Sequence, residues 1–314
     1  MPLPSRHASL KSETGLDWRL DEVVLQLREL RDASLAARQR LGCPAKLPSR
    51  RILAEFIESI CAVLFPNRLS ARELVDESID FYVGDMLDRA LRVVVEQLEQ
   101  EYRFLGPGGG EANGSRLWAV DVAREFAAGL PGIRATLDTD ILAAYESDPA
   151  ASSVDEVLAC YPGLRAVMSH RIAHALHQFG APLIARMISE IAHSETGVEI
   201  HPGARIGGRF FIDHGTGVVI GETAVIGERV RLHHGVTLGA RRQSHEELDP
   251  QKPRHPIVED DVTIYAGATL LGPIRIGCGS VIGGNVWLTS SVPAGSNVSQ
   301  AAVRTEAFDE GLGI

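Results

Sequence analysis

The chain has 314 residues, of which 45% are apolar and 23% charged, and its formal net charge is −10. That length leaves room for two domains and a sizeable core, and the composition is that of an ordinary globular protein. An acidic balance argues against a nucleic-acid binder, which needs a basic face; no window reaches the roughly 18 apolar residues of a membrane span; and Met1 to His7 lack the apolar core of a signal peptide, so the expected location is the cytoplasm.

Residues 1–15 are polar and read as a disordered end. From Asp17 onward Leu20, Val23, Val24, Leu27 and Leu30 make one helical face. A second helix is predicted from Arg51 to Leu64, stopped by Pro66. A third begins near Ser70 and carries Leu74, Ile79, Val83, Leu87, Leu91, Val94, Val95 and Leu98, ending at the flexible run Gly106 to Gly110. Further helices are predicted over 115–128 and 133–145. Asp148-Pro149-Ala150 turns the chain into two more, over 154–179 and 182–194. On the first of these, His170, His174 and His177 share a stripe; helix-borne metal sites usually add a carboxylate or a ligand from a second element and no HExxH pattern is present, so they read as packing or hydrogen-bonding groups, and no metal is expected. Cys43, Cys61, Cys160 and Cys278 form no CxxC pair and suggest neither disulfides nor a zinc site.

After Thr196 the pattern changes. An aliphatic residue returns at every sixth position: Ile200, Ile206, Ile212, Val218, Ala224, Val230, Val236, and then, at a shifted phase, Val258, Ile264, Leu270, Ile276, Ile282 and Leu288. A helix repeats at 3.6 and a half-buried strand at 2, so neither explains this ladder. Six is the period of a parallel β-helix in which each hexad supplies one short strand and one corner. The interruption, 239–257, contains Arg241, Arg242, His245, Lys252, Arg254 and His255, too polar to continue the coil, and reads as an extruded loop where chemistry can sit. The predicted class is therefore α+β: a helical domain at 1–196, a β-helix at 197–296 with loop 239–257, and a tail at 297–314.

Within the coil, the stretch from Phe211 through Asp213-His214-Gly215-Thr216-Gly217 to Ala224 resembles the active-site signature of serine acetyltransferases. Arg254-His255-Pro256 resembles that family's second motif, Glu199-Ile200-His201-Pro202 its start of the coil, and Asp148-Pro149-Ala150 its substrate-binding aspartate motif. The resemblance covers roughly 145–296; residues 1–140 match only in being helical. It implies a left-handed coil, acetyl-CoA as co-substrate, L-serine as acceptor, O-acetyl-L-serine as product and L-cysteine as feedback inhibitor. It also implies trimers with active sites between subunits, in some members paired into hexamers.

The residue chemistry agrees. Removing a proton from a serine hydroxyl as it attacks a thioester suits a neutral imidazole, here His214. A carboxylate must orient that ring; in the family it is the acid of the coil-start motif, here Glu199. Arg254 can grip the acceptor carboxylate in bidentate fashion, Asp148 and Asp213 can hold its ammonium, and His255 completes the pocket by resemblance. Contacts to acetyl-CoA are expected at Gly239, Ala240, Arg241, Ala266 and Gly284, with Arg241, Arg242 and Lys252 facing its phosphates. His233 and His234 match nothing catalytic and are expected to be exposed or at a subunit interface. The chain departs from the family's Gly-Gly-Thr-Gly with Gly239-Ala240-Arg241-Arg242, from its closing Gly-x-Pro-Ala with Val298-Ser299-Gln300-Ala301, and by an acidic insert through Glu246, Glu247 and Asp249, which bears on donor binding. The terminal Asp309-Glu310-Gly311-Leu312-Gly313-Ile314 resembles the tail that inserts into O-acetylserine sulfhydrylase, with Ile314 as anchor. Competing readings are a hexapeptide-repeat acyltransferase for an amino sugar or antibiotic, a zinc hydratase like the γ-class carbonic anhydrases, whose pair of histidines about five apart is not found, and an inactive scaffold.

Overall fold

The computed structural model describes residues 20–37, 46–71, 74–105, 112–241 and 252–300. The chain divides into two compact units, 1–46 and 47–314. The described part of the first is one helix, α1 (Leu20–Ala37), opened by Asp21 and Glu22, whose charges complement the positive end of the helix.

The second unit begins with helices α2 (Arg50–Leu64), α3 (Pro66–Leu69), α4 (Asp76–Leu105), α5 (Ala112–Ser147), α6 (Val154–Cys160), α7 (Pro162–Gln178) and α8 (Pro182–Thr196). Three of these differ from the sequence expectation. Helix α4 starts at Asp76 rather than near Ser70. The two helices expected over 115–128 and 133–145 are one, with Pro131 inside it. An interior proline costs about 3 kcal/mol, but Phe126, Leu130, Leu137 and Ile141 on both sides of it are buried in the same core, and their burial outweighs that cost. The expected 154–179 helix is broken at Tyr161, which is extended, and Pro162 opens α7 at the position where its missing N–H costs nothing. The Gly106–Gly110 run and residues 1–15 lie outside the described residues.

The rest is a parallel β-solenoid of about four turns. Its first face stacks β1 (Glu199–Ile200), β4 (Val219–Ile220), β7 (Thr237–Gly239), β10 (Thr269–Leu271) and β13 (Trp287–Leu288). The second stacks β2 (Arg205–Ile206), β5 (Val225–Ile226), β8 (Ile257–Val258) and β11 (Arg275–Ile276). The third stacks β3 (Phe211–Asp213), β6 (Arg231–His233), β9 (Thr263–Ile264), β12 (Val281–Ile282) and β14 (Asn297–Val298).

The strand register shows that the apparent ladder changes track. Ile200 pairs with Ile220, Ile206 with Ile226 and Ile212 with Leu232, so the strand-centre column runs from Ile212 to Ile220, eight positions rather than six. Val218, Ala224, Val230 and Val236 are buried as well, but each sits two residues ahead of its strand centre, as Val198, Ala204 and Phe210 do in the first turn. The hexads turn both positions toward the interior, with Ile206 and Leu288 partly covered and the others next to the corner buried, so the sixfold period ran on unbroken in the sequence while two residues were added at the corner 213–217. That corner contains His214, Gly215 and Gly217, at φ of 59°, 99° and 78°. Left-handed backbone is cheap for glycine and costly for histidine.

The helices close the open end of the first turn by meeting its backbone polar groups. His174 Nδ1 donates to the carbonyl of Pro202 at 2.7 Å, and Arg171 donates to the carbonyls of Ile206 and Gly207 at 3.2 and 2.9 Å. Thr139 Oγ1 accepts from Arg209 N at 3.0 Å and Asp140 Oδ1 from Phe210 N at 2.9 Å. Asp140, fully buried, is itself paired with Arg171. Gly163 of α7 lies so close to β3 that a Cβ there would stand 2.1 Å from the Ile212 carbonyl oxygen.

Candidate active site

Between the third and first faces, the enlarged corner lifts His214 into solvent, its side chain 77% exposed, with Nε2 3.6 Å from Asp213 Oδ1. That is beyond hydrogen-bond reach but within ionic contact if the ring is protonated. Asp213 Oδ2 accepts from Arg231 Nη2 at 2.5 Å, and His233 Nδ1 lies 3.3 Å from it. Asp148, just past the end of α5, arrives beside them. Its Oδ2 accepts from the Tyr161 hydroxyl at 2.6 Å and its Oδ1 from Ala150 N at 2.9 Å. The Tyr161 hydrogen bond, reinforced by Ala150 N–H, holds the Asp148 carboxyl below its ordinary range, with Arg231 and His214 contributing at longer range. The same contact pushes the Tyr161 phenol up to about 12, so it stays a donor.

A second group lies on another edge, between the first and second faces. Thr223, in the corner between β4 and β5, accepts at Oγ1 from the backbone of Arg254 (2.9 Å) and His255 (3.1 Å), where the chain returns from its loop. His255 Nδ1 accepts from Thr223 N at 3.1 Å, which leaves the imidazole proton on Nε2. Burial, then the adjacent Arg254, pushes the His255 imidazole down to about 4, so it is neutral at physiological pH. Its ring lies against Gly221, where a Cβ would stand 2.0 Å from Cδ2. The Arg254 guanidinium is paired with Glu222.

The expected site residues thus fall into two half-sites. His214, Asp213 and Asp148 come together; Arg254 and His255 come together elsewhere on the same solenoid. Glu199, expected to orient His214, instead accepts at Oε1 from Arg186 Nη2 at 3.0 Å, because it lies on β1 beside α8; the carboxylate facing His214 is that of Asp213. The residues expected at acetyl-CoA divide in the same way. Gly239 ends β7, Ala240 follows it, and Arg241 donates to the Thr289 carbonyl on the Arg254 side. Ala266, whose carbonyl accepts from Asn285 N at 2.8 Å, and Gly284, whose Cβ would be 3.3 Å from that oxygen, are on the His214 side. Arg242, His245 and the acidic insert lie outside the described residues.

Several partners were missed in the sequence. Gly221, Glu222 and Thr223 stand inside a quoted motif, yet their task of seating Arg254 and His255 depends on strand register. Tyr161 and Arg231 carried no signal beyond residue type. His234 is exposed as expected, but His233 is largely covered and stacks on Tyr265 with ring centroids 4.7 Å apart. The three helix histidines do not converge on one point: His170 is buried with its ring 5.6 Å from that of His174, His174 caps Pro202, and His177 meets His201 edge-on at 6.2 Å. Among the described residues no group of three or more His, Cys, Asp or Glu is placed to hold a metal ion.

No protein-family model matches the chain. A protein of Synechococcus elongatus named serine acetyltransferase, plasmid, is 48% identical over 311 residues, spanning 97% of this chain and 98% of its own. The chain belongs to the serine acetyltransferase family. Among solved structures, serine acetyltransferase isoform 3 of Entamoeba histolytica in complex with cysteine superposes with a TM-score of 0.69 at 34% identity, covering 87% of this chain and 89% of that one. The Neisseria gonorrhoeae serine acetyltransferase in complex with serine gives 0.52 at 28% identity, over 81% and 97%. The solenoid is the left-handed β-helix that the resemblance implied. No helix among the described residues is long and apolar enough to cross a membrane.

Proposed function

We propose that the protein transfers acetyl from acetyl-CoA to the hydroxyl of L-serine, giving O-acetyl-L-serine and free CoA, the first step of cysteine biosynthesis, in the cytoplasm. The observation that carries the reading is the two-residue enlargement that sets His214 beside Asp213, with Asp148 alongside. His214 takes the proton from serine Oγ as that oxygen attacks the thioester carbonyl. The new C–O bond forms, the C–S bond breaks, and the proton passes to the departing thiolate. Asp148 and Asp213 hold the ammonium, Arg254 the carboxylate, and neutral His255 offers Nε2–H to the same pocket. Arg241 and Lys252 supply positive charge for the phosphates of CoA, with Gly239, Ala240, Ala266 and Gly284 leaving room for its chain. Glu199 turns to His214 only by releasing Arg186, so Asp213 is the ring's partner in the free chain.

Because the half-sites occupy different edges, a serine held by both Asp148 and Arg254 requires the second from another copy, which supports a homotrimer; light scattering separates trimer from hexamer. The solenoid, 197–296, then carries the chemistry, and the helical part, 1–196, supplies Asp148. Cysteine, sharing serine's charged groups, competes for the same pocket, as its presence in the Entamoeba complex suggests. The Ile314 tail, outside the described residues, is retained as a docking segment for O-acetylserine sulfhydrylase; a peptide of residues 305–314 tests it with and without Ile314. The central test is thiol release from acetyl-CoA by the purified protein with L-serine, run beside amino-sugar acceptors. Release with serine supports the proposal; background release with serine and turnover of another acceptor refutes it.

A further inference from the structure

The carboxylate of Asp213 is held by a residue with no role in the reading above. Arg231 lies on β6, one strand below Asp213, and makes two contacts at once: Nη2 to Asp213 Oδ2 at 2.5 Å and Nη1 to the carbonyl of Ser147 at 3.1 Å. Ser147 ends α5 and immediately precedes Asp148. One guanidinium therefore joins the two pieces of chain that carry the two carboxylates, one from the solenoid and one from the helices. Its plane lies over the Phe211 ring, 5.3 Å from the centroid, and His233 backs the same Oδ2, so the carboxylate cannot rotate freely. With Oδ2 committed, Oδ1 is the oxygen turned toward His214. Arg231 Nε and His233 Nε2 are both buried without a hydrogen-bond partner among the described residues, so the polar set around Asp213 is not closed by those residues.

We propose that Arg231 is a positioning residue for the amino-acid acceptor: by bridging Asp213 and Ser147 it fixes the spacing of Asp213 and Asp148 and presents Oδ1 of Asp213 to the incoming ammonium. The planar fork of arginine suits this task, since two parallel donors reach two acceptors in one geometry. Without it, Asp213 keeps only its His233 and His214 contacts, and no guanidinium ties it to the end of α5. The inference rests on the proposed acceptance of serine and deepens it, because it says what sets the ammonium half of the pocket.

The test is steady-state kinetics of Arg231→Met, Arg231→Lys, Asp213→Asn and the Arg231→Met/Asp213→Asn double variant, with calorimetric titration of serine into each. Loss of a charged hydrogen-bond partner predicts a serine KM raised on the order of 10- to 100-fold in Arg231→Met, with the acetyl-CoA KM within about twofold of wild type, as expected for lost uniform binding of one substrate. Arg231→Lys recovers part of the loss, since an ammonium keeps the charge but cannot span both acceptors. In the Asp213→Asn background Arg231→Met adds clearly less than its penalty in the wild type, because the part that passes through Asp213 is already lost and only the Ser147 contact remains to be removed. Parallel changes in kcat and both KM values, or a full penalty retained in Asp213→Asn, would overturn the inference while leaving the function intact. A wild type that neither binds nor acetylates serine would remove both.

Discussion

Replacing Gly221 with alanine tests the most sharply defined contact of the site. Gly221 needs no unusual backbone angle, so the effect is steric alone. The added methyl would stand 2.0 Å from His255 Cδ2 and 2.1 Å from Nε2. Ordinary contact begins near 3.4 Å, so the ring must withdraw by more than about 1 Å. Its 3.1 Å bond from Thr223 N then stretches past useful length. Stranding that buried pair costs about 1–3 kcal/mol, and a displacement of about 1 Å at a positioned group costs on the order of 10²-fold in rate. The expected result is a kcat/KM for serine about 100-fold lower, with thermal melting lowered by several degrees. Gly129→Ala is the control: inside α5, with nothing within 4 Å of its Cβ, it should leave the rate unchanged and raise stability by about 0.5–1 kcal/mol. If Gly221→Ala retains kcat/KM within about twofold of wild type, His255 is not needed where the structure holds it.

His214→Ala is expected to lower kcat by about 10²- to 10⁴-fold, the usual contribution of a positioned base; Glu199→Gln, measured beside it, should change kcat less than Asp213→Asn does, and the reverse ranking would return the orienting role to Glu199. Burial, as the leading cause, lowers the proton affinity of His170, His174, His201 and His255 below that of free histidine. The unfolded chain therefore binds more protons on the acid side, and the stability these groups confer is complete above about pH 6.5 and lost as pH falls toward 4. For His255, down to about 4, the full effect is about 3 kcal/mol, of which about 2 kcal/mol is lost by pH 5; urea midpoints at pH 8 and pH 5 should differ accordingly, and His255→Gln should narrow the gap, whereas identical midpoints would contradict the assignment. Asp140→Asn should cost about 3–5 kcal/mol by leaving the Arg171 charge buried and unpaired, read as a lowered urea midpoint; a loss below about 1 kcal/mol would mean that Arg171 finds another acceptor.

The solenoid was legible because most of its hexads turn two apolar residues inward, but that redundancy hid the enlargement at 213–217: Val218 continued the count from Ile212 although Ile220 is its strand equivalent. Contacts between turns depend on this register. Thr223 with His255, and Asp213 with Arg231, are separated by 32 and 18 positions, and the second could not be placed before the two extra residues were known. The helices were legible from their apolar faces, and their ends less so. Pro131 reads locally as a stop, yet packing on both sides carried α5 through it, while Pro162 was a start signal inside a run whose periodicity looked continuous. The carboxylate facing His214 depended on which side chain α8 engages, and Arg186 takes Glu199.

The sealing of the first turn by α5 and α7 also gives the solenoid a polarity. A parallel coil exposes backbone donors and acceptors at each end, and two such ends can join strand to strand. Here His174, Arg171, Thr139 and Asp140 already occupy backbone groups of one end, at Pro202, Ile206, Gly207, Arg209 and Phe210. Head-to-tail growth needs a free surface of each kind and would run on into an open fibre. With one kind taken up inside the chain, that route is blocked at its first step, whatever the remaining end does. Removing the helices to obtain a minimal solenoid would expose the blocked end again and favour filaments over discrete oligomers.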